Sequence, residues 1–89
     1  MRFEWDDAKR VTNLGKHGID FVDAQLLFDG RPVFTSRSPY VDEERFLPTD
    51  FVDSRLITVV WTRRNDAIRL ISARRARHGE SRAYRALHG

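Results

Sequence analysis

The first third of the chain carries the residue spacing of a helix from about residue 7. Its apolar residues form a small strip on one side: Ala8, Val11 and Leu14. Another side carries residues spaced i, i+4, i+7 and i+8, which therefore share one face: Lys9, Asn13, Lys16 and His17. Asp6 is a good N-cap, and Gly18 suits the left-handed position that follows a last helical turn. The pattern predicts a helix that ends just before Gly18.

A second helix is predicted in the segment IDFVDAQLLFDG, one or two residues after the first. Its apolar stripe is expected to be buried: Phe21, Ala24, Leu27 and Phe28. Asp20 is the expected N-cap, and Gly30 is expected to end the helix. Because the connection is so short, the two helices should form a tight hairpin.

After Gly30 the apolar period changes to that of strands. Besides a short first strand in RFEW, four segments are rich in β-branched and aromatic residues: VFTS, EERFLPTDFV, RLITVVWT and AIRLISAR. The segments Asp53-Ser54 and Arg64-Asn65-Asp66 are natural hairpin turns, so the last three strands should form an antiparallel meander. Pro48 cannot donate a backbone hydrogen bond, which predicts a sheet edge or a bulge for its strand.

A last helix is predicted over residues 81–87. The order is then β-α-α-β-β-β-β-α, an α+β fold in which two N-terminal helices and a C-terminal helix pack on one face of an antiparallel sheet. Eighty-nine residues leave room for a single domain, residues 1–89. No apolar run is long enough to span a membrane and the N-terminus lacks a signal peptide, so a cytoplasmic protein is expected.

Charge is divided unevenly between the two parts of the chain. Residues 1–54 hold seven Lys or Arg against eleven Asp or Glu, whereas residues 55–89 hold nine Arg against two acids. Every cation of the second part is arginine, whose guanidinium binds phosphate or carboxylate in a bidentate manner. The division indicates a polyanion or an acidic protein as the partner.

The arginines concentrate where the last predicted strand ends. Strict alternation would place Arg69, Ala73 and Arg75 on one face, where two arginines flanking a small residue could hold a phosphate. Further polar residues follow closely enough to line the rim of such a site: Arg77, Arg82 and Tyr84.

A second candidate site is the segment NLGKHG, where a lysine could neutralise a phosphate and a histidine could exchange protons near neutral pH. Both candidates have a structural alternative. Lys16 and His17 lie in the last helical turn, where cations offset the helix dipole. The arginines could be a solvated strand edge, with Arg74 paired to Glu43 or Glu44 of a neighbouring strand.

Other chemistries find little support. The chain has no cysteine, and its three histidines lack the HxxxH or HxH spacing of metal ligands, so neither thiol catalysis nor a metal site is expected, and no cofactor is implied. A glycine-rich phosphate loop and a GxSxG motif are both missing from the sequence.

Four blocks of the sequence occur together in this order: FEWDDAKRVTNLGKHGIDFVDAQLLFDG, DEERF, IRLISARRA and ESRAY. In this combination the chain resembles the BrnT family of bacterial toxins from Phe3 to Tyr84. These are the toxin half of type II toxin–antitoxin pairs, and they are similar in fold to RelE-like ribonucleases. The family tends to have glycines in the third strand and its turn, where this chain has LPTDFVDS. A bulge at Pro48 is expected to replace that bend.

The resemblance implies a ribonuclease that cleaves RNA without a metal and slows growth when it is free. It also implies a BrnA-type antitoxin with a ribbon-helix-helix domain as partner, so that promoter DNA is bound only by the complex. RelE-like sites place basic residues on the sheet and a tyrosine on the last helix. The expected catalytic residues are therefore His17, Arg69, Arg75 and Tyr84. The expected RNA-binding residues are Lys16, Arg74, Arg77 and Arg82.

In this interpretation a 2′-hydroxyl attacks the adjacent phosphorus. The base and acid roles are divided between His17 and Tyr84, or are supplied by a neighbouring lysine, and Arg69 and Arg75 stabilise the developing negative charge. Two alternatives stay open at this point. One is a nucleic-acid-binding module without catalysis, and the other is a module whose basic half serves only to hold an acidic antitoxin segment.

Overall fold

A computed structural model describes residues 2–30, 34–38 and 43–88. Within these residues the chain forms five strands, three α-helices and one 3-10 helix. The strands are β1 (Arg2–Glu4), β2 (Phe34–Ser38), β3 (Arg45–Val52), β4 (Arg55–Arg64) and β5 (Ala67–Arg75). The α-helices are α1 (Asp7–His17), α2 (Phe21–Ala24) and α3 (His78–His88), and the 3-10 helix spans Gln25–Phe28 directly after α2. The predicted α+β class is confirmed.

The ends of α1 lie at the predicted residues because local hydrogen bonds define them. The Asp6 carboxylate accepts the backbone N–H groups of Ala8 at 2.8 Å and Lys9 at 3.2 Å. Gly18 adopts a φ of 69° and donates its N–H to the Leu14 carbonyl. The second helix is shorter than predicted, since a single α-helical turn after the Asp20 cap tightens into the 3-10 helix.

The sheet has the strand order β1-β5-β4-β3-β2. Strands β2 to β5 pair antiparallel, which confirms the predicted meander, but β1 pairs parallel to β5. The prediction of a purely antiparallel sheet is therefore wrong. Hairpin turns fix only the directions of consecutive strands, and β1 reaches its place beside β5 without such a turn, since α1 and α2 carry the chain away from it toward the far edge at β2.

Pro48 lies in an interior strand, so its predicted position at an edge is wrong. β3 is flanked by β2 and β4, and Pro48 is opposite Thr35 of β2. β3 pairs with β4 at residues 45–46 and 49–52, on both sides of Pro48. Because no pair with β4 is formed at Pro48 itself, the strand tolerates a residue without an N–H donor. The register shift in the described sheet lies elsewhere, between Val60 and Trp61 of β4, so the predicted bulge at Pro48 is also wrong.

The hydrophobic core lies between one face of the sheet and the segment formed by Ile19, α2 and the 3-10 helix. Its buried residues are Ile19, Phe21, Ala24, Leu27, Val52, Ile57, Val59, Ile68, Leu70 and Ala73. The alternation of β4 directs Thr58 away from this core, and the Thr58 hydroxyl donates to Glu80 of α3. The C-terminal helix therefore contacts the opposite face, and the predicted packing of all helices on one face is wrong.

The apolar strip of α1 is not part of this core. Val11 is 72% exposed and Leu14 is 45% exposed, whereas the polar Asn13 is only 7% exposed. The helix is thus attached to the sheet through hydrogen bonds of a polar residue and leaves aliphatic side chains in contact with solvent.

Candidate nucleic-acid interface

A β-bulge divides β5 into two stretches with opposite alternation of side chains. Val60 of β4 pairs with Ser72, but the next residue, Trp61, pairs with Leu70. Ile71 is therefore an extra residue in β5, and every side chain after it points to the face opposite to the one that strict alternation predicts.

The bulge separates two arginines that were expected to form one phosphate site. Arg74 pairs with Thr58, which faces away from the core, whereas Arg75 pairs with the core residue Ile57. Arg69 precedes the bulge and shares the face of Arg74. The predicted common face of Arg69 and Arg75 is wrong, because the extra residue lies between them.

The Arg74 guanidinium forms an ion pair with a carboxylate. Its guanidinium donates to both oxygens of Glu80 at 2.8 and 3.0 Å, and the two side chains are only 11% and 14% exposed. The suggested pairing of Arg74 with Glu43 or Glu44 is therefore wrong. A guanidinium that is buried in a bidentate ion pair does not offer its donors to RNA, so the structure argues against the expected RNA contact at Arg74.

Glu80 connects α3 to the sheet through four donors. Besides Arg74, it accepts the Thr58 hydroxyl at 3.0 Å and the backbone N–H of Arg77 at 2.8 Å, in the manner of the acidic residue in a capping box. Burial raises the pKa of this carboxyl, but the donors outweigh burial. Hydrogen bonds from Arg74 and Arg77, the charge of Arg74 and the Thr58 hydroxyl together lower the pKa to about 2.

Arg69 and Tyr84 are likewise engaged by carboxylates. The Arg69 guanidinium donates to Glu4 of β1 at 2.7 Å. The Tyr84 hydroxyl donates to Asp50 of β3 at 2.9 Å, and the Asp50 residue is only 4% exposed. The Tyr84 ring also packs edge-on against Phe51. These contacts hold β1 and α3 to the sheet.

A basic depression of about 240 Å³ lies between α1 and the bulged part of β5. Its lining residues are Lys9, Thr12, Asn13, Lys16, His17, Ile71 and Ser72. Helical spacing predicted the common face of four of the five lining residues of α1, all except Thr12, and the bulged part of β5 supplies Ile71 and Ser72. Two lysines and a histidine surround this depression, and none of its lining residues is acidic. We call it the α1–β5 depression.

Asn13 holds the two walls of the α1–β5 depression together. Its amide nitrogen donates to the carbonyls of Ile19 at 3.0 Å and Ala73 at 2.9 Å. Its amide oxygen accepts the Ala73 N–H at 3.1 Å and the Ser72 hydroxyl at 3.2 Å. Four hydrogen bonds from one buried side chain thus fix α1 against β5 and fix the orientation of Ser72.

Arg75 lies at the end of β5, two residues beyond Ala73, to which Asn13 of α1 is bound. Arg55 donates to the Gly18 carbonyl at 3.2 Å, just beyond His17, and Arg75 is opposite Ile57, two residues along β4 from Arg55. The Arg75 side chain is exposed. It is therefore at the same end of the sheet as His17, although it is on the core side of β5.

The other residues that were expected to bind RNA differ from Arg74, because their side chains are exposed to solvent. Within the described part of the chain, the exposed cationic side chains without a carboxylate partner include Lys9, Lys16, Arg75, Arg77 and Arg82. Arg77 follows β5 immediately, whereas Arg82 lies on α3.

A second depression, of about 260 Å³, has the opposite electrostatic character. It is lined by Glu43, Glu44, Phe46, Thr62 and Arg63. Its two carboxylates would repel a phosphate, so the α1–β5 depression is the better candidate for a phosphate site. Among the described residues, no group of three or more His, Asp or Glu side chains is arranged to hold a metal ion. No helix in the described ranges has the length and apolar character to cross a membrane.

The sequence only partly revealed this site. Helical spacing brings Lys9 and Asn13 to the side of Lys16 and His17, so their role could have been derived from the sequence. Ser72 could not have been found in this way, because the bulge that turns it toward α1 depends on the pairing with β4 and carries no local signature such as glycine.

The chain matches the model of a known protein family. A family model described as the ribonuclease toxin BrnT of type II toxin–antitoxin systems matches residues 5–80. The matched span includes the entire α1–β5 depression and the Arg74–Glu80 ion pair. None of the curated proteins compared with the chain matches it.

Proposed function

The chain belongs to the BrnT family of ribonuclease toxins of type II toxin–antitoxin systems, and from this premise we propose that it cleaves RNA without a metal ion, with the α1–β5 depression as its phosphate site. The observation that carries this proposal is the convergence of Lys9, Lys16 and His17 on a hollow without carboxylates. Other described cations, among them Arg10 and Arg74, are paired with acids.

Binding follows from the charges of this site. Each lysine that neutralises a phosphate releases counterions from a single-stranded RNA, which contributes about 0.7 to the slope of log affinity against log salt concentration. Lys9 and Lys16 lie on one helical face, two turns apart. This spacing suits contacts with phosphates of an RNA backbone that lies across α1. Arg75 and Arg77 extend the basic surface beyond the α1 end, where flanking phosphates would lie.

The proposed reaction uses a nucleophile that belongs to the RNA. The 2′-hydroxyl loses its proton to the His17 imidazole and its oxygen forms a bond to the adjacent phosphorus, while the bond from phosphorus to the 5′-oxygen breaks. The leaving 5′-oxygen takes a proton from the Lys16 ammonium or from water. The products are a 2′,3′-cyclic phosphate and a 5′-hydroxyl. Because no external water must be activated, the reaction requires no metal.

Negative charge builds up on the phosphate oxygens in the transition state. Lys9 and Ser72 line the same depression as His17, and the exposed Arg75 lies three residues beyond Ser72 at the end of β5. Donors that already point to the place where this charge develops stabilise it without a cost of reorganisation. We assign Arg69, Arg74 and Tyr84 to the support of the sheet and of α3, because each is bound to a carboxylate.

The family also indicates the partners. A type II toxin acts on RNA and is bound by an antitoxin. We take this antitoxin to be a BrnA-type protein with a ribbon-helix-helix domain, which would give the complex, and not the toxin alone, its affinity for promoter DNA. Free toxin is expected to arrest growth, and the antitoxin is expected to relieve the arrest.

Cleavage of a 5′-labelled, 20-nucleotide single-stranded RNA in buffer with EDTA tests the proposal. Wild type should give fragments that end in a 2′,3′-cyclic phosphate. His17→Ala should lose about 10²-fold or more in rate, as expected for a positioned base. Lys9→Ala/Lys16→Ala should bind RNA with a salt slope lower by about 1.4. Arg63→Ala removes an exposed cation at the acidic depression and serves as the matched control, with unchanged cleavage.

Two results would contradict the proposal. Salt-sensitive binding with intact RNA after long incubation would favour a nucleic-acid-binding module without catalysis. Cleavage that EDTA abolishes and added Mg²⁺ restores would contradict metal independence. Growth after induced expression of wild type and His17→Ala provides the cellular counterpart, since only wild type should arrest growth.

A further inference from the structure

Asn13 is the residue through which α1 is attached to β5. It is the only buried residue of the helix, whose eleven residues are all described. Apolar packing contributes little to this attachment, since Val11 and Leu14 of the same helix face solvent. The Asn13 carboxamide instead bonds both backbone groups of Ala73. The place of α1 on this strand therefore depends on a single polar side chain.

The ionisable residues of the proposed phosphate site are the helical neighbours of Asn13. Lys9 precedes it by four residues, and Lys16 and His17 follow it by three and four. These residues belong to adjacent turns of one rigid helix, so a shift of Asn13 moves all three together. The opposite wall of the α1–β5 depression belongs to the bulged part of β5 and does not move with them. The bonds of Asn13 thus determine how the two walls of the depression face each other.

The Asn13 carboxamide has no hydrogen-bonding capacity left for a substrate. Its two N–H groups donate to the carbonyls of Ile19 and Ala73, and its oxygen accepts the Ala73 N–H and the Ser72 hydroxyl. A carboxamide offers two donors and two acceptor positions, so this set is complete. An effect of Asn13 on RNA cleavage therefore has to act through the groups that it holds in place.

The bonds to Ala73 select one register between α1 and β5. Because the backbone groups of a strand alternate in direction, the next residue whose N–H and carbonyl point to the same edge is Arg75. A slip of Asn13 to that residue would move α1 by about 7 Å along the strand. The Ser72 hydroxyl reaches the same carboxamide directly after the extra residue Ile71, so the bulge contributes to this register as well.

We propose that Asn13 is a positioning residue for RNA cleavage, which fixes the register of α1 on β5 and thereby the distance between the His17 imidazole and the bound phosphate. A general base has to lie about 2.6–3.2 Å from the group whose proton it removes. A misplacement of about 1 Å can lower a rate about 10²-fold. This inference rests on the proposed function, because it requires His17 to act on RNA in the α1–β5 depression.

RNA binding is less sensitive to the same displacement than cleavage is. The ammonium groups of Lys9 and Lys16 are point charges on flexible four-carbon stems, so they can follow a phosphate when the helix moves. The His17 imidazole has a shorter and stiffer side chain and has to meet one particular proton. Loss of Asn13 is therefore expected to lower the maximal cleavage rate and to leave the affinity for RNA nearly unchanged, a separation that destabilisation alone does not produce.

Single-turnover cleavage of the 5′-labelled, 20-nucleotide RNA by an excess of protein tests the inference, since it gives the maximal rate and the affinity separately. The assay is run well below the melting temperature of every variant. Asn13→Ala should lower the maximal rate about 10²-fold and change the affinity less than about threefold. Asn13→Gln keeps the carboxamide but places it one methylene farther from the helix. It serves as the milder variant if Asn13→Ala does not fold, and its maximal rate should fall at least about tenfold.

Glu80→Gln is the matched control. It also disturbs a buried set of hydrogen bonds, but it does so between α3 and the sheet, away from the α1–β5 depression. It should keep the wild-type maximal rate wherever it is folded. A wild-type maximal rate in folded Asn13→Ala or Asn13→Gln would overturn the inference. It would be overturned as well by an equal loss in Glu80→Gln, or by weaker RNA binding at an unchanged maximal rate.

The same assay separates this inference from the proposed function. Wild type that leaves RNA intact, or His17→Ala that cleaves as fast as wild type, contradicts the proposed function and the inference together. Wild type that cleaves RNA and requires His17, but has a maximal rate that does not depend on Asn13, retains the proposed function. In that case Asn13 only stabilises the fold, and the positioning role is lost.

Discussion

Asn13 pairs with the backbone of Ala73 as a neighbouring strand would. Its carboxamide accepts the Ala73 N–H at 3.1 Å and donates to the Ala73 carbonyl at 2.9 Å. β1 accompanies β5 only as far as Arg69, so this side of β5 has no strand partner at Ala73 in the described sheet. A free strand edge carries unpaired donors and acceptors, and Asn13 satisfies them while it attaches α1.

Asn13→Asp should lower the free energy of unfolding by about 2–3 kcal/mol, because a carboxylate cannot donate to the carbonyls of Ile19 and Ala73 and leaves them unsatisfied. Urea unfolding monitored by circular dichroism measures the change. Thr12→Asp places the same carboxylate at the exposed neighbouring position and should stay within about 0.5 kcal/mol. Equal stability of Asn13→Asp and wild type would show that water or a rearranged helix replaces these bonds.

Glu80→Gln should destabilise the fold by about 2–3 kcal/mol, because it leaves the Arg74 guanidinium buried without its counter-charge. Chemical unfolding at pH 7 measures this value. Glu44→Gln is the control, since the Arg37–Glu44 pair is exposed by 69% and 51% and should contribute less than about 1 kcal/mol. If both variants lose the same amount, the burial of the Arg74–Glu80 pair has no energetic consequence.

The free energy of unfolding should also decrease as the pH is lowered through the range in which Glu80 becomes protonated. Its pKa is about 2 in the folded chain and 4.5 for an ordinary glutamate, so protonation favours the unfolded state. The stabilisation is complete above pH 4.5 and is lost as pH falls toward 2. Asp20 adds to this loss, since the hydrogen bond from Arg10 lowers its pKa to about 2. Unfolding curves at pH 5 and pH 3 should differ less for Glu80→Gln than for wild type.

Tyr84→Phe distinguishes a structural from a chemical role of the hydroxyl. Removal of the donor to the buried Asp50 carboxylate should cost about 1–2 kcal/mol of stability. Well below the melting temperature, RNA cleavage should be unchanged if Tyr84 only anchors α3. A loss of about 10²-fold in rate with native stability would instead assign proton transfer to Tyr84, as the resemblance to RelE-like ribonucleases implies.

The β3–β4 hairpin turn offers a stabilising change. Asp53 and Ser54 both adopt positive φ, 50° and 67°, which is the type I′ geometry. Asn-Gly suits this geometry better, so Asp53→Asn/Ser54→Gly should raise the free energy of unfolding by about 0.5–1 kcal/mol. Thermal unfolding measures the gain. A lower melting temperature would mean that the present side chains form contacts that outweigh the backbone preference.

The sequence by itself determined the structural features that depend only on residues close to one another along the chain. The Asp6 and Asp20 caps, the left-handed Gly18 and the Asp53-Ser54 turn are short-range devices, and each occurs where the pattern predicted it. The antiparallel meander follows from such turns, since a tight turn reverses the chain. The common face of Lys9, Lys16 and His17 follows from the helical repeat alone.

Only the tertiary structure decided which charges are free and which face each one occupies. Three features depend on strand register or on elements that are distant in the sequence: the parallel pairing of β1, the extra residue Ile71 in β5 and the hydrogen bond from Arg74 to Glu80. A register shift of one residue reverses every later side chain, and an arginine looks the same in sequence whether it is paired or exposed. The proposed phosphate site therefore lies between α1 and the bulge of β5, where Lys9, Lys16 and His17 line a depression without an acidic lining residue.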